Sequence, residues 1–107
     1  MEKTIIGLIE KVKINGKEII AKIDTGADRN SVDTKLAAEI NLGPIKKTTK
    51  IKSSHGDSLR PVVEAELEIK NKKIKTTFNL TNRSHMKCPV LIGLEVLKKD
   101  FIIDPSK

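Results

Sequence analysis

A chain of 107 residues is the size of one small domain, and folding at that length hides only about two-thirds of the unfolded surface, so one copy cannot enclose a deep two-domain cleft. Apolar residues make up 37% and aromatics 2%, with Phe78 and Phe101 the only rings, which leaves a core of Ile, Val, Leu and Ala suited to strands. The formal charge is +7, no apolar run approaches a membrane span, and the single cysteine, Cys88, excludes an intramolecular disulfide and a Cys-only zinc site.

No linker, low-complexity tract or repeat divides residues 1–107, so the chain reads as a single domain. Val12 and Ile14 alternate with lysines, Asn15-Gly16 offers the two positive-φ positions of a tight hairpin, and Ile19 to Ile23 resumes an apolar strand. Asp24-Thr25-Gly26-Ala27 then interrupts the strand as a turn. Asp33 is placed to cap a short helix with Leu36, Ala37 and Ile40 on one face, ending near Gly43-Pro44. From Ile45 to Val63 a polar, lysine-studded pair of strands surrounds Ser53 to Ser58, and its tip has little to bury, so it reads as an arm standing off the body.

Ala65, Leu67 and Ile69 alternate with glutamates, and after the turn at 71–73, Ile74, Thr76, Phe78 and Leu80 alternate with polar residues. This predicts two half-buried antiparallel strands with opposite charges on their outer faces. Pro89 to Gly93 is an unbroken apolar run, the pattern of a strand covered on both faces, and Leu94 to Lys99 can form a last short helix before the closing strand at 101–103. Cys88, beside that run, reads as a buried small hydrophobe rather than a nucleophile. The expected fold is mostly β, a barrel-like unit with short helices.

Met1-Glu2-Lys3 is not followed by a signal-peptide apolar region, which points to a soluble, cytoplasmic protein. All but three of the 21 basic residues are lysine, and glutamine is absent, a composition that fits a thermophile.

Asp24-Thr25-Gly26 is the feature that could carry chemistry, although such a string arises by chance in roughly 2% of chains this long. On the tripeptide alone, a turn in which Asp accepts backbone N–H groups is the favoured reading. Its context changes this. A hairpin precedes it, an arm follows, and a second apolar strand runs into a glycine and a short helix at Val90-Leu91-Ile92-Gly93-Leu94-Glu95. In this order, over nearly the entire chain, the sequence resembles the retropepsin-like aspartic proteases, the family of retroviral proteases and their cellular relatives. It is also similar to a prokaryotic branch often labelled ATP-dependent zinc protease, through Arg60-Pro61-Val62, Asn82-Arg83-Ser84-His85-Met86, Pro89-Val90-Leu91-Ile92-Gly93 and Asp104-Pro105-Ser106.

The resemblance implies a closed acid-protease barrel with one catalytic loop per subunit. Peptide hydrolysis by carboxylates needs one group ionised to activate water and one protonated to donate to the carbonyl oxygen. The chain offers one such aspartate, so a two-fold homodimer pairing Asp24 with its mate is the direct solution. By resemblance, Thr25 bonds across the dimer and Gly26 lets the backbone approach. Ala27 and Asp28 line the groove for a peptide or protein substrate, and Ser54, His55 and Gly56 belong to a flap that closes over it. Retroviral enzymes place Arg after the glycine of the second apolar segment, where it pairs with the second Asp. Here Leu94 follows Gly93, and Asp28 needs another partner, Arg83 or Arg60.

The zinc label finds no support in the residues. There is no H-E-x-x-H, and His85-x-x-Cys88 is at best a half-site. No phosphate-binding glycine loop is present, so neither metal nor nucleotide cofactor is expected. Two rival readings stand beside proteolysis. One is a catalytically silent dimerisation or peptide-binding module of the same fold. The other is a basic nucleic-acid-binding β domain using Lys46, Lys47, Lys50, Lys52, Lys70, Lys72, Lys73 and Lys75. The absence of Tyr and Trp platforms argues against the second, and those lysines read as a solvated face.

Overall fold

The computed structural model describes residues 3–53 and 56–107. The chain runs through β1 (Thr4–Ile6), β2 (Ile9–Ile14), β3 (Lys17–Ile23), β4 (Asn30–Asp33), α1 (Thr34–Glu39), β5 (Ile45–Ser53), β6 (Gly56–Ile69), β7 (Lys72–Thr81), β8 (Val90–Ile92), α2 (Leu94–Leu97) and β9 (Phe101–Ile103). The Asn15-Gly16 turn forms as its residues dictate, with φ of 48° and 84°, and joins β2 to β3 in antiparallel register. Alternation also holds in β6 and β7. Ala65, Leu67, Ile69, Thr76 and Phe78 point inward and are buried, while the register sets Glu66 opposite Lys75 and Glu68 opposite Lys73.

The strands follow the order β2-β3-β8-β4-β7-β6, and β6 pairs back with β2 to close the barrel, leaving β5 hanging from β6 as the arm. Closure removes the free edges that a six-strand sheet would otherwise expose. Phe78 is fully buried in a cluster with Ile14, Val32, Val63, Leu67, Val90, Ile92 and Val96, so its ring fills a core made mostly of aliphatic side chains. Cys88 is buried, in keeping with its apolar neighbours.

Two strands have no counterpart in the sequence pattern. β4 holds one apolar residue, Val32, and forms because β7 pairs with it in parallel on one side and β8 antiparallel on the other. β1 is three residues long and exists as the parallel partner of β9. The stretches that read separately as arm and half-buried strand are one 14-residue strand, β6, whose distal half pairs with β5 and whose proximal half enters the barrel. Among the described residues, no helix is long and apolar enough to cross a membrane.

Asp33 caps α1, its Oδ2 accepting from the Leu36 amide at 3.3 Å, and its Oδ1 accepts from the Arg83 amide at 2.8 Å. The Arg83 amide is the main cause holding the Asp33 carboxyl below its ordinary 3.8, with the helix-end amides adding to it. A folded-state pKa depressed in this way contributes stability above the unfolded value, and that stability is lost as pH falls through the folded value. Asp33→Ala is therefore expected to cost about 1–2 kcal/mol at neutral pH, with the difference from wild type shrinking below about pH 4. Urea midpoints measured against pH would check this, and a gap that stayed constant into acid would exclude the capping role.

Candidate active site

The loop from Asp24 to Arg29 leaves β3 and is held by the segment that ends β8 and begins α2. The Asp24 amide donates to the Ile92 carbonyl at 2.9 Å, the Leu94 amide to the Ala27 carbonyl at 2.8 Å, and the Glu95 amide to the Asp28 carbonyl at 2.9 Å. Within the loop, Asp24 Oδ1 accepts from the Gly26 amide at 2.8 Å, and the Ala27 amide donates to the Asp24 carbonyl at 3.2 Å. A Cβ on Gly26 would lie 3.1 Å from Asp24 Oδ1, so a side chain there would crowd the carboxylate. The Asx-type turn thus does form, and it holds Asp24 half-buried with one carboxylate oxygen bound to the loop's own backbone.

Gly93 supports the loop from behind. A Cβ there would lie 2.5 Å from the Arg29 carbonyl oxygen and 2.7 Å from that of Ala27, so α2 can approach only because the side chain is missing. The Gly93 amide donates to Oδ1 of Asn30, which is fully buried, at 2.9 Å.

An open cleft of 580 Å³ lies against this loop, lined by Gly26, Ala27, Asp28, Arg29 and Ser31, by Lys50, Ile51 and Lys52 of the arm, by Arg60, and by Asn79, Thr81, Asn82, Arg83, Met86 and Leu91. Arg29 Nη1 donates to Thr49 Oγ1 at 2.9 Å and so links the loop to the arm. Of the residues singled out from sequence, Asp24 to Asp28 come together in this loop. Gly56 begins β6 on the arm with φ of 106°, a left-handed conformation that favours glycine, whereas Ser54 and His55 lie outside the described residues.

Arg83 is buried at the cleft wall, with Nε donating to the Cys88 carbonyl at 3.0 Å. Burial lowers its guanidinium pKa, and the negative charges of Asp24 and Asp33 oppose that shift. Among the described residues the ion pairs are Lys50–Asp57, Lys70–Glu10 and Lys72–Asp100, and none involves Asp28. Within the chain the Asp28 carboxylate therefore pairs with neither Arg83 nor Arg60, while its backbone carbonyl accepts from the Glu95 amide. His85 is exposed while Cys88 is buried, so the His85-x-x-Cys88 pair does not face one site.

Sequence reasoning missed Asn30, Thr76 and Glu95 as supports of the loop. Thr76 carried a signal, a hydroxyl at an inward position between Ile74 and Phe78. Asn30 carried none.

The closed barrel with one aspartate loop, a glycine-backed crossing and an arm is the retropepsin-like fold. The chain superposes on the simian foamy virus (mac) protease with a TM-score of 0.65 at 17% identity, covering 84% of this chain and 91% of that one. It superposes on the EIAV protease, solved with the inhibitor HBY-793, with a TM-score of 0.71 at 21% identity, covering 84% of each chain. A Legionella pneumophila protein of unknown function (DUF785) is also similar, with a TM-score of 0.70 at 25% identity, covering 97% of this chain and 94% of that one. No curated protein matches the sequence. Residues 28–107 match the RimB-like family, described as retropepsin-like aspartic endopeptidase RimB, and the chain belongs to that family. The match begins directly after Asp24-Thr25-Gly26-Ala27.

Proposed function

We propose that the protein is an aspartic endopeptidase that works as a homodimer, with Asp24 of each copy forming the dyad that activates water. The observation that carries this reading is the single Asp24 loop, braced from behind by Gly93, whose Gly26 to Arg29 stretch, directly after Asp24 and Thr25, lines the cleft. Two carboxylates near 3 Å share a proton because both cannot ionise cheaply, so one serves as base and the other as acid. Water attacks the scissile carbonyl, its proton passes to the ionised carboxylate, and the protonated one donates to the carbonyl oxygen. Collapse of the tetrahedral intermediate breaks the C–N bond and returns the proton to the leaving amine, with no covalent enzyme intermediate.

Exposed apolar side chains on the β1–β9 sheet and at Leu8 offer a surface for a second copy. Ile5 and Ile102, cross-strand partners on β1 and β9, are 46% and 50% exposed, and Leu8, whose carbonyl accepts from the Ile23 amide next to Asp24, is 48% exposed. In the proposed dimer these three would be buried against their mates, and Leu8, through its bond to Ile23, would set the Asp24 loop near the two-fold axis. By the family resemblance, Thr25 then bonds across the dimer, Ala27 and Asp28 line the groove with Asp28 binding substrate main chain, and the arm with Ser54, His55 and Gly56 closes over it.

The cleft carries Arg29, Lys50, Lys52, Arg60 and Arg83 against Asp28, an electropositive lining that favours substrates with acidic side chains. Peptide hydrolysis with and without a statine-type inhibitor and a chelator tests the reading, together with solution mass. The expected result is a particle of twice 11.9 kDa that cleaves best in acid, is blocked by the inhibitor and is indifferent to the chelator. Acidic peptides should be preferred by about tenfold at low salt, with the gap narrowing as salt is added. A strict monomer, or activity lost to the chelator alone, would overturn it.

A further inference from the structure

We infer that Asn30 is a positioning residue for Asp24, acting through a one-way hydrogen-bond relay that ends on Glu95. The inference rests on the reading of Asp24 given above. Asn30 is fully buried, and its amide is oriented without ambiguity, because Oδ1 accepts from the Gly93 amide at 2.9 Å. Its Nδ2 must then donate, and does so to the Thr77 carbonyl at 3.0 Å and to Thr76 Oγ1 at 3.2 Å. Having accepted from Asn30, the Thr76 hydroxyl donates to Glu95 Oε1 at 2.8 Å, and the Thr77 hydroxyl donates to the same oxygen at 3.3 Å. From the Gly93 amide through Asn30 and Thr76 the donors run in one direction and end on the Glu95 carboxylate, with the bond to the Thr77 carbonyl as a side branch.

Glu95 closes the circuit, since its backbone amide holds the Asp28 carbonyl at 2.9 Å while its side chain grips β7. The loop from Asp24 to Asn30 is therefore clamped at both ends. Ile92 holds the Asp24 amide, and Asn30 ties the far end to α2 and β7 together. A dyad must be held to within a fraction of an ångström, and loosening the far clamp lets both loops drift on the dimer axis, where a misplacement of about 1 Å costs on the order of 10²-fold in rate.

Asn30→Asp tests this because it is isosteric but removes the donor. When ionised, the introduced carboxylate would aim a charge at the Thr77 carbonyl and at Thr76; when protonated, it regains a donor. The charged groups near it are Glu95 on α2 and Asp28 and Arg29 on its own loop. Thr76, Thr77 and Phe78 of β7 and Gly93 bring none. Burial and Glu95 keep the new carboxyl protonated in mild acid.

Relative to wild type at each pH, Asn30→Asp is expected to lose about 10²-fold in kcat near pH 7, with KM changed by less than about twofold, and to recover as pH falls. Asn30→Ala, with no proton to regain, should stay low at every pH. Amide hydrogen exchange at Gly26 and Ala27, read on the same samples, should accelerate in Asn30→Asp only where kcat falls. Thr76→Val interrupts the relay while leaving Asn30 its bonds to the Thr77 carbonyl and the Gly93 amide, and provides a second reading should Asn30→Asp fail to fold. It should lower kcat while Thr76→Ser restores it. Wild-type kcat in either Asn30→Asp at neutral pH or Thr76→Val would overturn the inference. A wild-type protein that cuts nothing would overturn the proteolytic reading instead, and unchanged Gly26 and Ala27 exchange in Asn30→Asp would then also dispose of the clamp.

Discussion

Asp24→Asn is expected to reduce peptide cleavage by at least about 10³-fold at all pH values, because a dimer with two amides has neither the base nor the acid that hydrolysis needs. The fold should be untouched. Asp24 is half-buried at a loop, and an Asn oxygen can still accept from the Gly26 amide, so the melting temperature should match that of wild type. Mixing experiments sharpen the outcome. Equal amounts of wild type and Asp24→Asn, unfolded and refolded together, should show about a quarter of the activity of the same total amount of wild type if two aspartates share one site, and about half if each chain works alone. Peptide turnover by the purified variant is the direct measurement, and wild-type turnover would remove Asp24 from the mechanism.

Gly93→Ala should be the most damaging small substitution in the chain. Gly93 sits at φ −106° and ψ −173°, a conformation open to any residue, so backbone strain is not the reason. The reason is space. The new methyl would fall 2.5 Å and 2.7 Å from two carbonyl oxygens of the Asp24 loop, both backbone atoms that cannot turn aside. Relief requires α2 to withdraw, which lengthens the Leu94–Ala27, Glu95–Asp28 and Gly93–Asn30 bonds together. The expected cost is about 3 kcal/mol, or a fall in melting temperature on the order of 15 °C, with activity lost even at temperatures where the variant stays folded. Thermal melts and turnover in the cold would check both. A near-neutral effect would mean that the segment is not held against the loop as tightly as its geometry states.

What could be read from residues alone was whatever local chemistry decides. Asn15-Gly16 specifies its turn because few other pairs adopt two positive φ values, and the alternation in β6 and β7 specifies its faces because a strand's side chains point to opposite sides in turn. The Asp24 turn was legible for the same reason, since its hydrogen bonds close within three residues. The order of hairpin, aspartate turn, arm and apolar-Gly segment was enough to point to the retropepsin-like fold.

Only the tertiary structure decided the rest. β4 has no apolar pattern of its own and exists because β7 and β8 offer it hydrogen bonds on both sides, while β1 is too short to stand without β9. Asn30, Thr76 and Glu95 lie 46 and 19 residues apart along the chain, and no spacing rule connects them. Sequence likewise nominated Arg83 or Arg60 to hold Asp28, because charges are visible in a sequence. The structure pairs the Asp28 carboxylate with neither within the chain and fixes the residue at its carbonyl, by the backbone amide of Glu95, a group that every residue but proline carries and that becomes specific only when the fold delivers it to the loop. The residue that could do the chemistry was therefore written locally, whereas the parts that hold it in place are contacts between distant segments, made by groups too ordinary to announce themselves.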